Sequence, residues 1–154
     1  MSNELTIRTA NPNDLPSLLE LYGQLHPNDE IVSLPAASTI LTQFLRYPGS
    51  TIFLGLSGEA VVTTCTLVVV PNLTRGGAPY AVIENVVTGE SHRKRGYGKA
   101  VLNTAISSAW DHDCYKVMLL TGSKDQATLR FYAEADFEQS KTGFQARRIP
   151  AGEG

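Results

Sequence analysis

The chain has 154 residues, 42% apolar and 18% charged, with 13 basic against 15 acidic side chains; this suits one domain with a real core and excludes a disordered or fibrous protein. The longest apolar run, residues 67–70, is too short to cross a bilayer, no basic-then-apolar leader follows Met1, and a net charge of -2 argues against a nucleic-acid coat. Two cysteines, Cys65 and Cys114, cannot build a disulfide framework or a zinc site, so the expectation is a reduced, cytoplasmic enzyme or binding module.

Leu5 and Ile7 alternate with Thr6 and Arg8, which predicts a short edge strand. Asn11-Pro12 offers an N-cap and a proline at the first helical position, with Asp14 in the first turn. Leu15, Leu18, Leu19, Tyr22 and Leu25 supply one apolar helical face, ending near His26-Pro27, and residues 27–35 read as a loop. Ile40, Leu41, Phe44 and Leu45 mark a second amphipathic helix, stopped by Pro48-Gly49. Residues 51–56, a Ser57-Gly58 turn and residues 59–70 form a hairpin rich in β-branched side chains. A Gly/Pro/Asn loop over 71–79 leads into a strand over 80–88. Val101, Leu102, Ala105, Ile106, Ala109 and Trp110 then repeat at helical spacing. A short apolar strand follows at 117–120 and a helix at 126–134, and Phe137 and residues 144–147 suggest two last strands. No linker or repeat interrupts the order β-α-α-β-β-β-α-β-α-β-β, so residues 1–154 read as one mixed α/β domain.

Four of the 13 cations, Arg93, Lys94, Arg95 and Lys99, fall within seven residues, and no carboxylate occurs from Ser91 to Trp110. A charge run is ordinarily a solvated face. Here it contains Gly96 and Gly98 and joins a strand directly to a helix. Glycines let backbone approach a ligand, and the first helical N–H groups lack internal partners and favour an anion. The segment is not a P-loop, because Arg93 stands where the first glycine belongs and Ala100 where Ser or Thr belongs. It is not a dinucleotide fingerprint either, since Val101 occupies the third glycine position.

Arg93-x-x-Gly96-x-Gly98 after a strand resembles the pyrophosphate-binding signature of the GNAT N-acetyltransferase family. The later helix is similar as well. That family places an Asn-like residue, then a Tyr six positions on, shortly before Gly-Phe; this chain has Gln126 and Tyr132, followed by Asp136-Phe137. Gln126 and Asp136 depart from the family's Asn and Gly. By the resemblance, the first would weaken one expected amide contact, and the second would change only a turn. The order of elements agrees over nearly the whole chain.

The resemblance implies a single-domain fold whose mixed, mostly antiparallel sheet has a splayed parallel pair and is flanked by helices. It implies acetyl-CoA as cosubstrate, no metal, a small-molecule amine as acceptor and, since members often dimerise, a homodimer. Backbone groups of Val86, Val87 and Thr88 would pair with the pantetheine amides. Backbone N–H groups across Lys94, Arg95, Gly96, Tyr97, Gly98 and Lys99, with the Arg93 side of the loop, would cradle the pyrophosphate. Gln126 would contact the pantetheine arm, with the strand at 117–120 forming the other wall of the opening.

Tyr132 would sit near the thioester sulfur as the acid for the departing thiolate; the structural alternative is a core residue beside Phe131. Glu84 is the sole carboxylate between Glu59 and Glu90 and shares a strand face, by alternation, with Tyr80, Val82, Val86 and Thr88. Acids are seldom placed in such strands without a partner or task. Glu84 would take the ammonium proton or bind the amine, or else pair with Arg75 or Arg46. Ile83-Glu84-Asn85 is similar to the Ile-Glu-Asp of glucosamine-6-phosphate acetyltransferases, with Asn85 in place of Asp. Two alternatives therefore stand beside the general N-acetyltransferase: an amino-sugar-phosphate acetyltransferase and a non-catalytic acyl-CoA-binding module. Loops 27–35 and 71–79 are expected to build the acceptor pocket, with Arg75 available for an acidic acceptor. His26, His92 and His112 show no metal-ligand spacing, and neither cysteine has a histidine at a telling distance.

Overall fold

The computed structural model describes residues 4–150. Strand β1 (Leu5–Thr9) pairs antiparallel with β2 (Thr51–Ser57), β2 with β3 (Ala60–Val70), and β3 with β4 (Tyr80–Thr88); β4 pairs parallel with β5 (Val117–Leu119), giving the order β1-β2-β3-β4-β5. Helices α1 (Leu15–Leu25) and α2 (Leu34–Phe44) cover one face, and α3 (Tyr97–Asp111) with α4 (Gln126–Glu134) the other.

Strand alternation divides the core. Phe53, Cys65, Leu67, Ala81 and Ile83 meet Val101, Leu102, Ala105 and Ala109 of α3, while Leu54 and Leu56 meet Leu15, Leu18, Ala37 and Leu41. The apolar faces predicted for α1 and α3 largely hold. Trp110 and Ile40, expected on buried faces, are exposed, and Ala37 takes the inward position on α2 instead. At the entrance to α1, Asn11 closes a capping box with Asp14. The Asp14 carboxylate also receives a two-pronged bond from Arg8, at 2.7 and 2.8 Å, and is held below the usual carboxylate range, chiefly by the Arg8 hydrogen bonds.

The expected strands at Phe137 and residues 144–147 do not form. After α4 the chain is nearly all exposed, with Phe144 at 91%. Such a segment buries too little apolar surface to offset the ordering of its backbone. Among the described residues no helix is long and apolar enough to cross a membrane, and no group of three or more His, Cys, Asp and Glu is placed to hold a metal ion.

Candidate active site

β4 and β5 pair only through Ala81↔Val117, Val82↔Met118 and Ile83↔Leu119, so, among the described residues, 84–88 have no strand partner on the β5 side. On the β3 side, Thr66 faces Glu84 but Thr64 faces Val87. Two steps along β3 therefore match three along β4. The surplus residue is taken up at Asn85, whose backbone is left-handed with φ 52. This bulge exchanges the faces of the strand. Ala81 and Ile83 point into the α3 core before it, and Val86 joins that core after it. Glu84 thus lies on the α1 side of the sheet, whereas Val86 and Thr88 lie on the α3 side. The simple alternation that grouped the three is corrected by one inserted residue, a feature with no clear mark in the sequence.

The bulge also sorts the peptide groups. The Gly89 N–H donates to the Val62 carbonyl at 2.8 Å, and the Val87 carbonyl accepts from the Thr63 hydroxyl at 3.3 Å, so both face β3. By alternation Val86 and Thr88 turn their peptide groups to the open side. Of the three residues expected to meet a pantetheine arm, Val86 and Thr88 thus turn their peptide groups to the open edge, and Val87 turns its own toward β3.

The basic loop closes onto this edge. Arg93 Nε donates to the Thr88 carbonyl at 3.1 Å, tying the loop to the end of β4. Lys94 and Gly96 adopt left-handed backbone, with φ 63 and 81. Gly96 is the N-cap of α3 with no side-chain cap, and the first helical bond is Ala100 N–H to the Gly96 carbonyl. The N–H groups of Tyr97, Gly98 and Lys99 consequently have no intrahelical acceptor. Arg93, Lys94, Arg95 and Lys99 are all exposed around them, whereas the Tyr97 side chain is buried and offers a ligand only its backbone. Gly98 does something else: a Cβ there would lie 3.0 Å from Phe131 Cζ and 3.2 Å from the Thr88 hydroxyl. It permits α4 and β4 to meet over the start of α3.

That contact positions α4. Phe131 stacks edge-on to Tyr132 at 5.1 Å, and Tyr132 to Phe137 at 6.2 Å. Tyr132 is partly buried against the α3 core. Burial, with a smaller contribution from Cys65, pushes its phenol above the ordinary value, so it remains a proton donor at neutral pH. Gln126 is exposed in the first turn of α4, next to the N-cap Asp125. Asp136 takes the left-handed position after α4 with φ 70, and Asp136 and Phe137 donate back to the Ala133 and Tyr132 carbonyls. This Schellman turn is the place where the resemblance puts a glycine, and Asp136 fills it.

Glu84 is exposed, and among the described residues neither Arg46 nor Arg75 pairs with it; the ion pair found there is Arg8–Asp14. Arg75, within the loop over 71–79, instead lies over the Tyr115 ring at 5.6 Å. That loop joins the start of β4, where Tyr80 pairs with Val70, whereas the open edge begins after Ile83. In the sequence Tyr22 is one member of an apolar helical face, and nothing there marks Thr66. Yet Thr66 is the cross-strand partner of Glu84, and the Tyr22 and Thr66 hydroxyls are both buried without a hydrogen bond. Burial raises the Tyr22 phenol; Thr66 lies near enough to oppose this slightly without reaching hydrogen-bond geometry. Thr66 is one of three threonines in β3, and only the structure, in which the Thr63 and Thr64 hydroxyls are bonded, sets it apart.

Comparison with known proteins agrees with this geometry. Residues 15–137 match the acetyltransferase (GNAT) family. This chain is a GNAT acetyltransferase. A glucosamine 6-phosphate N-acetyltransferase of Trypanosoma brucei brucei is 30% identical over 136 residues, covering 87% of this chain and 89% of that protein. A solved structure of a proposed acetyltransferase from Agrobacterium tumefaciens is 50% identical, superposes with a TM-score of 0.88 and covers 93% of this chain and 99% of its own. A Trypanosoma brucei acetyltransferase structure is 27% identical, with a TM-score of 0.82 over 94% of this chain and 99% of its own. The β4–β5 opening, the uncapped start of α3 and the Tyr132 helix of this GNAT chain thus sit in a fold shared along nearly its whole length.

Proposed function

We propose that this GNAT chain transfers the acetyl group of acetyl-CoA directly to the primary amine of a small acceptor. The observation that carries this reading is the meeting at Thr88: the open β4 edge, the uncapped N-terminus of α3 and the Tyr132 helix all close on one corner. The residues fit the cosubstrate. N–H groups of Tyr97, Gly98 and Lys99, backed by Lys94, Arg95 and Lys99 side chains, match a pyrophosphate. Val86 and Thr88 offer peptide groups to an amide-bearing arm, and Gln126 an amide from across the opening. Acetyl-CoA supplies an activated thioester carbonyl.

Amide formation then needs a neutral amine, a stabilised oxyanion and a protonated leaving thiolate. A β4 peptide N–H on the open side donates to the oxyanion, in a position fixed by the bulge before reaction. Glu84, on the α1 side, binds the ammonium and takes its proton directly or through water. Tyr132, on the α3 side, gives its proton to the thiolate. Incoming nitrogen and departing sulfur are thereby served from opposite faces of the sheet.

The name of the Trypanosoma brucei brucei relative favours an amino-sugar phosphate as acceptor. A cytoplasmic homodimer belongs to the same reading, and light scattering in solution measures its mass. Acetyl-CoA is expected to raise the melting temperature, and thiol to be released with at least one member of an amine panel containing glucosamine 6-phosphate. Binding without release from any amine would make the chain an acyl-CoA-binding module instead.

A further inference from the structure

From the acetyl-transfer reading, we infer that Tyr22 and Thr66 form, with Glu84, the acceptor seat, and that this seat selects amines carrying a hydroxyl close to the reacting nitrogen. Thr66 is 8% exposed, and its Oγ1 has no hydrogen-bond partner. Cys65 and Leu67 face the α3 core, so Thr66 between them points to the α1 side, where Tyr22 reaches down from α1. The Tyr22 hydroxyl is likewise buried and unbonded. Glu84 stands directly opposite Thr66 in the register, which brings their β-carbons to neighbouring positions on one face. The next residue along β4 is the bulge, and the next beyond it opens toward β5.

Unbonded hydroxyls are rarely left in a protein interior without a reason. Two side by side can together donate to and accept from one ligand hydroxyl, which itself has both capacities. A carboxylate at the same place suits an ammonium. An acceptor whose amine lies against Glu84 would satisfy both Tyr22 and Thr66 with a hydroxyl one or two carbons away, so the class is amino alcohols, amino sugars included. A simple amine of equal bulk leaves the pair unbonded and is discriminated against.

The test compares ring amines that differ only in the hydroxyl, trans-2-aminocyclohexanol against cyclohexylamine, within a wider panel of amino alcohols and their deoxy analogues that includes glucosamine 6-phosphate. Wild type is expected to favour the amino alcohols by at least about tenfold in kcat/KM, with the advantage mainly in KM. Tyr22→Phe and Thr66→Val, both isosteric, are expected to reduce that ratio toward one singly and to abolish it together, while their melting temperatures stay at or above that of wild type. A wild type indifferent to the hydroxyl, or a preference unchanged in both variants, overturns this inference alone. Failure of wild type to release thiol with any amine overturns the acetyl-transfer reading and this inference with it.

Discussion

A methyl group at Gly98 gives a sharp test of how the site is assembled. In an exposed helix, Gly→Ala stabilises by up to about 1 kcal/mol. Here the added Cβ would lie 3.0 and 3.3 Å from Phe131 Cζ and Cε1 and 3.2 Å from Thr88 Oγ1. Ordinary carbon contacts are about 3.5–4.0 Å, so the ring must retreat by roughly half an ångström. Overpacking of this kind costs about 1–3 kcal/mol; set against the helical gain, the net loss is about 0–3 kcal/mol, or a fall in melting temperature of up to about 12 °C at 2–4 °C per kcal/mol. Phe131→Leu removes the opposing ring atoms. In a thermal-denaturation double-mutant cycle, the Gly98→Ala penalty should shrink in the Phe131→Leu background, with a coupling of about 0.5–3 kcal/mol. Gly96→Ala is the control. Its Cβ meets open space but its φ is 81, so it should lose about 1–2 kcal/mol through the backbone and gain nothing from Phe131→Leu. A Gly98→Ala protein more stable than wild type, or zero coupling to Phe131, would refute the packing argument.

Tyr132→Phe should lower turnover about 100-fold or more while changing acetyl-CoA affinity little. Because burial raises this phenol, the wild-type rate should hold its donor through neutral pH, and any alkaline limb it causes should vanish in the variant; an equal rate removes Tyr132 as the acid. Asp136→Gly relieves a left-handed aspartate at the end of α4 and should stabilise by about 0.5–1 kcal/mol in chemical denaturation; a loss would contradict the turn assignment. Asp14 has a folded pKa below its unfolded one, so its contribution is present above the unfolded value and is lost as pH falls through the folded value. Asp14→Asn should therefore be less stable at neutral pH and show a flatter acid limb below about pH 4; parallel curves for the two proteins would disprove it.

Much of this fold could be read from local pattern, because the deciding interactions are local. Asn11-Pro12 with Asp14 fixes a helix start within four residues, and the spacing from Val101 to Ala109 states which side of α3 is buried. The start of α3 was legible for the same reason, since a strand that runs into two glycines and then a helical repeat marks a turn and a helix N-terminus. What escaped depends on neighbours far along the chain. The bulge at Asn85 shows only in the pairing of β4 with β3, and it moved Glu84 away from Val86 and Thr88 and turned Val87 toward Thr63. The side chains next to Tyr22 and Gly98 come from elements 44 and 33 residues away, at Thr66 and Phe131. The tail reads as strand by its phenylalanines, but a strand requires a partner edge and buried area, and Phe144 has neither.

The central claim is where the cosubstrate sits. An amide-resolved NMR titration with acetyl-CoA addresses it without reliance on turnover or on a variant. The largest shifts are expected at the N–H groups of Gly96, Tyr97, Gly98 and Lys99 and at Val86 and Thr88, with Val87 and the loop over 71–79 little changed. Shifts centred on residues 71–79, or none at the start of α3, would contradict the account.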